Sequence, residues 1–382
     1  MSPDLYERFA EFLDQLPVPY PRTESGVEIR ILKRLFTPEQ AELAMHLTLL
    51  AEESRVVARR VRRPVSEVAK LLDEMARKGL IYARYEPGKA PRYMVAPYVV
   101  GFYEGQVDHL TPELISDAEE YGAVLGKSGF WRKAPQMRTI PVQASIEAPV
   151  EVLAYERAGE MVRGQTSFGV SNCICRQVND ARGYHCSRPR EVCMSFGWVA
   201  DAFVKQGRAR RISLDESLAL LAQADEAGLV LQPGNTKELS FICACCSCCC
   251  GVLQMLKLEP EPAKVAISSF RAAVDTEKCD GCATCEGRCQ MEAISVNGGG
   301  IASVDKSRCI GCGLCVSTCP SGAVRLERKP ASEQPTVRTN VTQEYLGFAR
   351  AAGKFSVPAL VSMGAKSAID RLLARERSPL VE

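Results

Sequence analysis

The chain has 382 residues, of which 46% are hydrophobic, so it is long enough for two or three domains with buried cores. Its 48 basic and 46 acidic residues leave a net charge of +2, which excludes a general electrostatic attraction to nucleic acid or anionic membranes. The sequence has neither a run of about twenty apolar residues nor the basic, apolar start of a signal peptide. We therefore expect no transmembrane segment and a cytoplasmic location.

The first 110 residues contain no cysteine and are predicted to form a winged-helix-like domain. Helical patterns cover 37–50, "SRVVARRV" and "PVSEVAKLLDEMARKGL", the last with Pro64 at its start and Gly79 at its end. A hairpin with the turn "PGKA" follows. Eleven basic residues against four acidic ones between Arg55 and Arg92 make DNA binding an alternative to a docking or structural role.

Residues 111–270 are predicted to form a cysteine-rich, mainly helical middle domain. The pattern "ISLDESLALLAQADEAGLV" predicts a helix that is capped by Ser213 and Glu216 and ends near Gly228. The chain has eighteen cysteines, and cytosolic thiols are kept reduced, so disulfides are not expected. Histidines number only three, so thiolates must supply most metal ligands, and all-thiolate sites favour zinc or iron–sulfur clusters.

Ten cysteines of this middle segment fall into two groups along the chain. The first group offers the four thiolates that a [4Fe-4S] cluster needs, with zinc as the alternative, and consists of Cys173, Cys175, Cys186 and Cys193. The second group lies in "FICACCSCCCGVL" and is predicted to hold a further cluster or a reactive pair of thiols. Its members are Cys243, Cys245, Cys246, Cys248, Cys249 and Cys250. The spacing leaves open which of these six bind.

Two copies of the pattern C-x2-C-x2-C-x3-C follow, in residues 279–290 and 309–320. In this pattern, three thiolates of one loop bind one cluster, while the fourth cysteine binds the other cluster. We therefore predict that one [4Fe-4S] cluster is bound by Cys279, Cys282, Cys285 and Cys319. The second is predicted on Cys309, Cys312, Cys315 and Cys289. Zinc on Cys279, Cys282, Cys309 and Cys312 is the alternative, and it would leave four thiols unused.

Residues 271–328 closely resemble the bacterial two-cluster ferredoxin domain. Gln290 replaces the usual proline, which Pro320 retains, and this change is expected to relax one loop without removing a ligand. Over nearly all of 1–328 the chain also resembles a poorly characterised group of cytoplasmic, multicluster 4Fe-4S proteins of anaerobic bacteria. The matching segments are "TESGVEIRILKRLFTPEQAELA", "CICR", "ADEAGLV", "CACCSCCCGVL" and the ferredoxin motif. This resemblance implies electron transfer, usually within a larger redox system.

The fold predicted from these features is α+β, with four segments. They are the winged-helix-like domain (1–110), the cysteine-rich domain (111–270), the ferredoxin domain (271–328), and a linker with a helical tail (329–382). Two [4Fe-4S] clusters, and one or two more in the middle segment, predict an electron-transfer component of an oxidoreductase system that acts with redox partner proteins. The alternatives are a redox-sensing DNA-binding regulator, an enzyme with an open iron site in the middle domain, and a zinc-structured scaffold.

Overall fold

The computed structural model describes residues 4–146 and 152–375, and the outermost residues of the first and last predicted segments lie outside this range. It contains both helices and strands, which confirms the α+β class. The helices are α1 (Leu5–Asp14), α2 (Val27–Leu35), α3 (Pro38–Ala44), α4 (Ser54–Val61), α5 (Val65–Arg77), α6 (Pro112–Lys127), α7 (Phe130–Lys133), α8 (Ala158–Arg163), α9 (Ile174–Ala181), α10 (Gly197–Lys205), α11 (Leu214–Glu226), α12 (Gly251–Leu258), α13 (Pro262–Val265), α14 (Thr284–Arg288), α15 (Leu314–Ser317), α16 (Val341–Ala351) and α17 (Val357–Arg375). The strands are β1 (Glu52–Glu53), β2 (Ile81–Arg84), β3 (Arg92–Val95), β4 (Phe168–Asn172), β5 (Glu191–Phe196), β6 (Arg210–Arg211), β7 (Val230–Pro233), β8 (Phe241–Cys245), β9 (Phe270–Val274), β10 (Ile294–Val296), β11 (Ala302–Val304) and β12 (Val324–Arg328).

The described residues form two compact units. The first comprises 4–134, 201–208 and 345–375, and the second comprises 135–146, 152–200 and 209–344. All eighteen cysteines lie in the second unit. The predicted domain boundaries at residues 110, 270 and 328 differ from these units and stay a prediction. No helix in the described ranges is both long enough and apolar enough to cross a membrane.

The first unit has an aromatic core beneath its N-terminal helices. Edge-to-face contacts join Tyr20 to Tyr98 and to Tyr121, and Phe36 to Phe102. The helices α3, α4 and α5 precede the hairpin of β2 and β3, and β1 pairs with β3 to give a three-stranded antiparallel sheet. Helix α3 begins at a capping box, in which the side chain of Thr37 accepts from the backbone N–H of Gln40.

The second unit contains a five-stranded antiparallel sheet in the order β6-β4-β5-β8-β7. The sequence predicts a mainly helical middle domain and does not predict this sheet. Short strands such as "FICAC" carry cysteine where β-branched residues are usual, so their strand signal is weak. The predicted helix before this run is present as α11, and Ser213 caps it by accepting from the N–H of Glu216.

The repeated cysteine motifs fold as two similar halves of the ferredoxin segment. Strands β9 and β12 pair around one half, and β10 and β11 form the hairpin of the other. Within each motif a glycine has left-handed backbone, at φ +71° in Gly281 and φ +67° in Gly311. A Cβ atom at these positions would collide with the carbonyl oxygens of Gly300 and Phe270, respectively. Glycine is therefore required for the cysteine loops to close against these neighbouring segments.

Candidate metal centres

A cavity in the ferredoxin segment is lined by four cysteines from both copies of the motif. Cys279, Cys282 and Cys285 come from the first loop, and Cys319 comes from the end of the second motif. The second copy shows the corresponding relation, because Cys289 of the first motif lies near the thiols of the second loop. Burial raises the pKa of Cys312, and the nearby Cys289 raises it further. Four thiol donors around one cavity fit a [4Fe-4S] cluster.

Backbone N–H groups of the ferredoxin segment point at the cysteine sulfurs. Ala302 donates to the Sγ of Cys279 at 3.4 Å, and Ala272 donates to the Sγ of Cys309 at 3.3 Å. The two acceptors are equivalent cysteines of the two motifs. Hydrogen bonds to ligand sulfur stabilise the negative charge of a bound cluster and raise its reduction potential, so the backbone sets part of the potential in both halves.

Six of the other ten cysteines form one group, which we name the six-thiol group. Two of them lie on neighbouring strands as a cross-strand pair, since Cys193 of β5 faces Cys243 of β8 with their Sγ atoms 4.0 Å apart. Cys245 lies two residues after Cys243, so it shares the same face of the sheet. The full group is Cys173, Cys175, Cys193, Cys243, Cys245 and Cys250. Hydrogen bonds between thiols link them as a chain in the order Cys173, Cys175, Cys250, Cys245, Cys243 and Cys193.

Two helix N-termini border the six-thiol group. Cys173 is the N-cap of α9 and Cys250 is the N-cap of α12. A helix N-terminus favours negative charge, so both ends stabilise thiolates.

The thiols of this group divide into two kinds by pKa. Hydrogen bonds from Cys193 and Cys245 hold the pKa of Cys243 well below its usual range, and those from Cys175 and Cys245 do the same for Cys250. The donors have raised pKa values, as in Cys193, because they hydrogen-bond to a neighbouring thiolate and are buried. The group can therefore hold negative charge, and a bound metal would displace the remaining protons.

The remaining four cysteines form a separate cluster, the four-thiol group. Its members are Cys186, Cys246, Cys248 and Cys249, and their Sγ atoms all lie within 4.8 Å of one another. Burial acts to raise the pKa of Cys186, but hydrogen bonds from the backbone N–H of Arg188 and from the neighbouring thiols outweigh this effect and lower the pKa to about 7. Cys186 lies in the loop between α9 and β5, and the other three lie in the turn that follows β8.

The grouping in space therefore differs from the grouping along the chain. Cys186 was predicted to bind with Cys173, Cys175 and Cys193, and the structure places it with the turn after β8 instead. The reason is that α9 carries the chain away from Cys173 and Cys175 before the loop reaches Cys186. The run of six cysteines is divided between the two groups, because strand β8 carries Cys243 and Cys245, the turn after it carries Cys246, Cys248 and Cys249, and Cys250 at the N-cap of α12 returns to the six-thiol group. The ligand sets in this region stay predictions.

Gln290, which stands in the place of the usual proline, connects the ferredoxin segment to the cysteine run. Its Oε1 accepts from the N–H of Ser247 at 2.9 Å and from the Ser247 hydroxyl at 3.0 Å. Its Nε2 donates to the carbonyl of Gly228 at 2.9 Å. The side chain is buried. These contacts do not indicate the expected relaxation of the loop. Gln290 instead fixes the loop of the first motif to Ser247, in the turn between Cys246 and Cys248.

Arg288 adds a second connection on the same side. Its Nη1 donates to the carbonyl of Glu226 at 2.8 Å, and its guanidinium forms an ion pair with Asp225 at 3.5 Å. The hydroxyl of Ser317 donates to the same carboxylate at 2.7 Å. Both halves of the ferredoxin segment are therefore held to the end of α11.

Residues 272–326 match the family model of the 4Fe-4S dicluster domain. No curated protein and no solved structure matches the chain significantly. The match confirms that this segment is an iron–sulfur, ferredoxin-like domain that holds [4Fe-4S] clusters, and the further cysteine-rich segments suggest more than two metal centres.

Proposed function

We propose that the protein is a cytoplasmic, multicluster electron-transfer component, which passes low-potential single electrons to or from a redox partner protein. One ligand set is Cys279, Cys282, Cys285 and Cys319, and the other is Cys309, Cys312, Cys315 and Cys289. When bound, such clusters supply one-electron transfer. The six-thiol group is the proposed site of a third cluster, and the resemblance to multicluster proteins of anaerobic bacteria supports the same role.

The contacts of Gln290 are the observation that carries this proposal. They connect the residue directly after Cys289 with the turn directly after β8, so the ferredoxin segment and the six-thiol group belong to one folded body. A separate domain on a flexible linker would not need buried hydrogen bonds of this kind. An open-site enzyme requires an incomplete thiolate set, and six thiols in one group do not favour it.

The test is the content of iron and acid-labile sulfide in anaerobically purified protein, with EPR after reduction by dithionite. Three [4Fe-4S] clusters would give about twelve irons per chain, and the ferredoxin segment alone would give about eight. A value near twelve that falls to near eight in Cys193→Ser supports a third cluster in the six-thiol group. A value near eight in the unmodified protein would contradict it.

The N-terminal unit is proposed to be a winged-helix-like docking module for the redox partner. The order of α3, α4, α5 and the β2–β3 hairpin supports it. Its basic residues are largely engaged inside the unit, which disfavours DNA binding. Arg60 pairs with Glu52 at 3.0 Å and with Asp370 at 2.9 Å, and Arg63 pairs with Glu39 at 2.7 Å.

A duplex-binding titration at low and moderate salt tests this role. We expect no binding that weakens with salt, because seven of the eleven basic residues between Arg55 and Arg92 already form ion pairs with carboxylates of the same unit. Tight binding at low salt that is lost at moderate salt would favour the DNA-binding regulator instead.

A further inference from the structure

The four-thiol group has shorter sulfur separations than an iron–sulfur cluster requires. The Sγ of Cys186 lies 3.9 Å from that of Cys246 and 3.8 Å from that of Cys248, and Cys248 lies 3.7 Å from Cys249. Four sulfurs at the corners of a tetrahedron around one ion, with Zn–S bonds of about 2.3 Å, are separated by about 3.8 Å. The thiols therefore have the spacing of ligands to a single ion.

The other cysteines provide an internal comparison. Thiolates of a [4Fe-4S] cluster bind four different irons, so they must stand farther apart than thiolates on one ion. Among the described residues, the four-thiol group is the one set of three or more thiol, imidazole or carboxylate ligands that meets within 4.8 Å. The six-thiol group contains close pairs, such as Cys193 and Cys243 at 4.0 Å, but neither its six thiols nor the ferredoxin cysteines approach so closely as a set.

The charge around the four-thiol group also suits one divalent ion. The guanidinium of Arg176 is buried, and its Nη2 lies 3.5 Å from the Sγ of Cys246. The Nη1 of Arg188 lies 3.6 Å from the Sγ of Cys248. Four thiolates and one Zn²⁺ carry a net charge of −2, which these two guanidinium groups balance.

The turn that carries three of the thiols is held in place without the metal. The carbonyl of Cys248 accepts from the Nδ2 of Asn179 at 2.9 Å and from the Nε2 of Gln254 at 3.0 Å. The N–H groups of Cys249 and Cys250 donate to the carbonyl of Cys246. Preorganised ligands lower the entropy cost of binding a metal.

We propose that Cys186, Cys246, Cys248 and Cys249 bind a single tetrahedral zinc ion, separate from the iron–sulfur clusters. The ion would fasten the loop between α9 and β5 to the turn after β8, and so would close one side of the six-thiol group. Its role is structural, because a zinc site with four protein ligands has no open position for a substrate.

The experiment measures zinc, iron and sulfide per chain in the full-length protein, purified anaerobically. We expect about one zinc, and zinc X-ray absorption should show four sulfurs at about 2.3 Å. Cys248→Ser is the first variant, because the side chain is exposed and its loss should leave the fold intact. Zinc should be lost from Cys248→Ser while the iron and sulfide contents remain, and Cys186→Ser should behave in the same way.

Two further variants complete the test. Tyr184→Ala lies on the same loop as Cys186, has an exposed side chain and should keep its zinc. Cys193→Ser, in the six-thiol group, should lose iron and keep zinc. Absence of zinc from the unmodified protein, one mononuclear iron in its place, or loss of iron and sulfide from Cys248→Ser would each overturn the zinc proposal. Zinc and iron contents are independent measurements, so this failure would be distinct from failure of the electron-transfer proposal.

Discussion

The guanidinium of Arg176 is buried, and its Nη2 donates both to the carbonyl of Ala244 at 3.0 Å and to the Sγ of Cys246 at 3.5 Å. Its two other nitrogens, Nε and Nη1, have no hydrogen-bond partner among the described residues. Burial alone would lower the pKa of Arg176, but the electrostatic interaction with Cys173 and Cys246 raises it above its ordinary value. A buried cation needs a nearby anion, and here sulfur supplies it. Arg176 interacts with a member of each thiol group, so it offsets the charge of both.

Replacement of Arg176 by Met should weaken metal retention in both thiol groups. The variant keeps much of the apolar volume and removes the charge that balances the bound anions. We expect a loss of about 10- to 100-fold in metal affinity, the usual effect of removing a group that supports metal ligands. Competition with a chelator, followed by metal analysis, measures this. Arg176→Lys should recover part of the loss. Arg182→Met, at the exposed end of α9, should have little effect, and equal losses in both variants would contradict the role given to Arg176.

Cysteines from the two motifs should share clusters in the crossed arrangement. Cys285→Ala and Cys319→Ala should alter the same one of the two ferredoxin EPR signals, because both residues line one cavity. Cys315→Ala and Cys289→Ala should alter the other signal. Ser321→Ala borders Cys319 but removes no thiolate, so it should keep both signals. If Cys319→Ala grouped with Cys315→Ala instead, each motif would hold its own cluster and the assignment would be wrong.

Restoration of the usual proline at position 290 should destabilise this protein. Gln290→Pro and Gln290→Ala both remove three hydrogen bonds, a buried one to Gly228 and two partly buried ones to Ser247. At about 1 kcal/mol for each bond, we expect a loss of roughly 2–4 kcal/mol in the free energy of unfolding. Thermal unfolding under anaerobic conditions measures it. The matched control is Pro320→Gln, at the equivalent and exposed position of the second motif, and a similar loss there would show that Gln290 has no special role.

The sequence predicts the ferredoxin segment well, because its spacing encodes its contacts. Cys279 and Cys309 begin identical patterns, and the tight spacing of the thiols leaves few ways to arrange them around a cluster. The capped helix α11 is equally local, since Ser213 and Glu216 lie three residues apart and meet through one hydrogen bond.

The arrangement of the other ten cysteines was not predictable from spacing. It depends on the pairing of Cys193 with Cys243 on the neighbouring strands β5 and β8, and these two residues are fifty positions apart in the sequence. Such pairings are set by tertiary packing and have no local signal. One clue was present, because the substitution of proline by Gln290 introduces donor and acceptor atoms that a buried site must satisfy. That clue indicates that Gln290 hydrogen-bonds to another part of the chain, although it does not identify Ser247 as the neighbour.

Glu344 should make the stability of the protein depend on pH. Burial raises the pKa of this carboxyl to about 7, although Arg338 acts in the opposite direction, and its Oε1 has no hydrogen-bond partner within residues 4–146 and 152–375. Between the ordinary value of 4.5 and about 7, the folded protein holds one proton that the unfolded chain has lost. The contribution to stability is therefore full below about pH 4.5 and is lost as the pH rises through about 7.

Glu344→Gln should remove this dependence, because the amide stays neutral at every pH. At pH 8 the variant should be more stable than the unmodified protein by on the order of 2 kcal/mol, and the two should converge as the pH falls towards 5. Melting temperatures across this range, measured anaerobically, provide the comparison. Glu333→Gln, on an exposed side chain that pairs with Arg271, should leave the slope unchanged. If the melting temperature of Glu344→Gln decreased with rising pH as steeply as that of the unmodified protein, another group would have to cause the pH dependence.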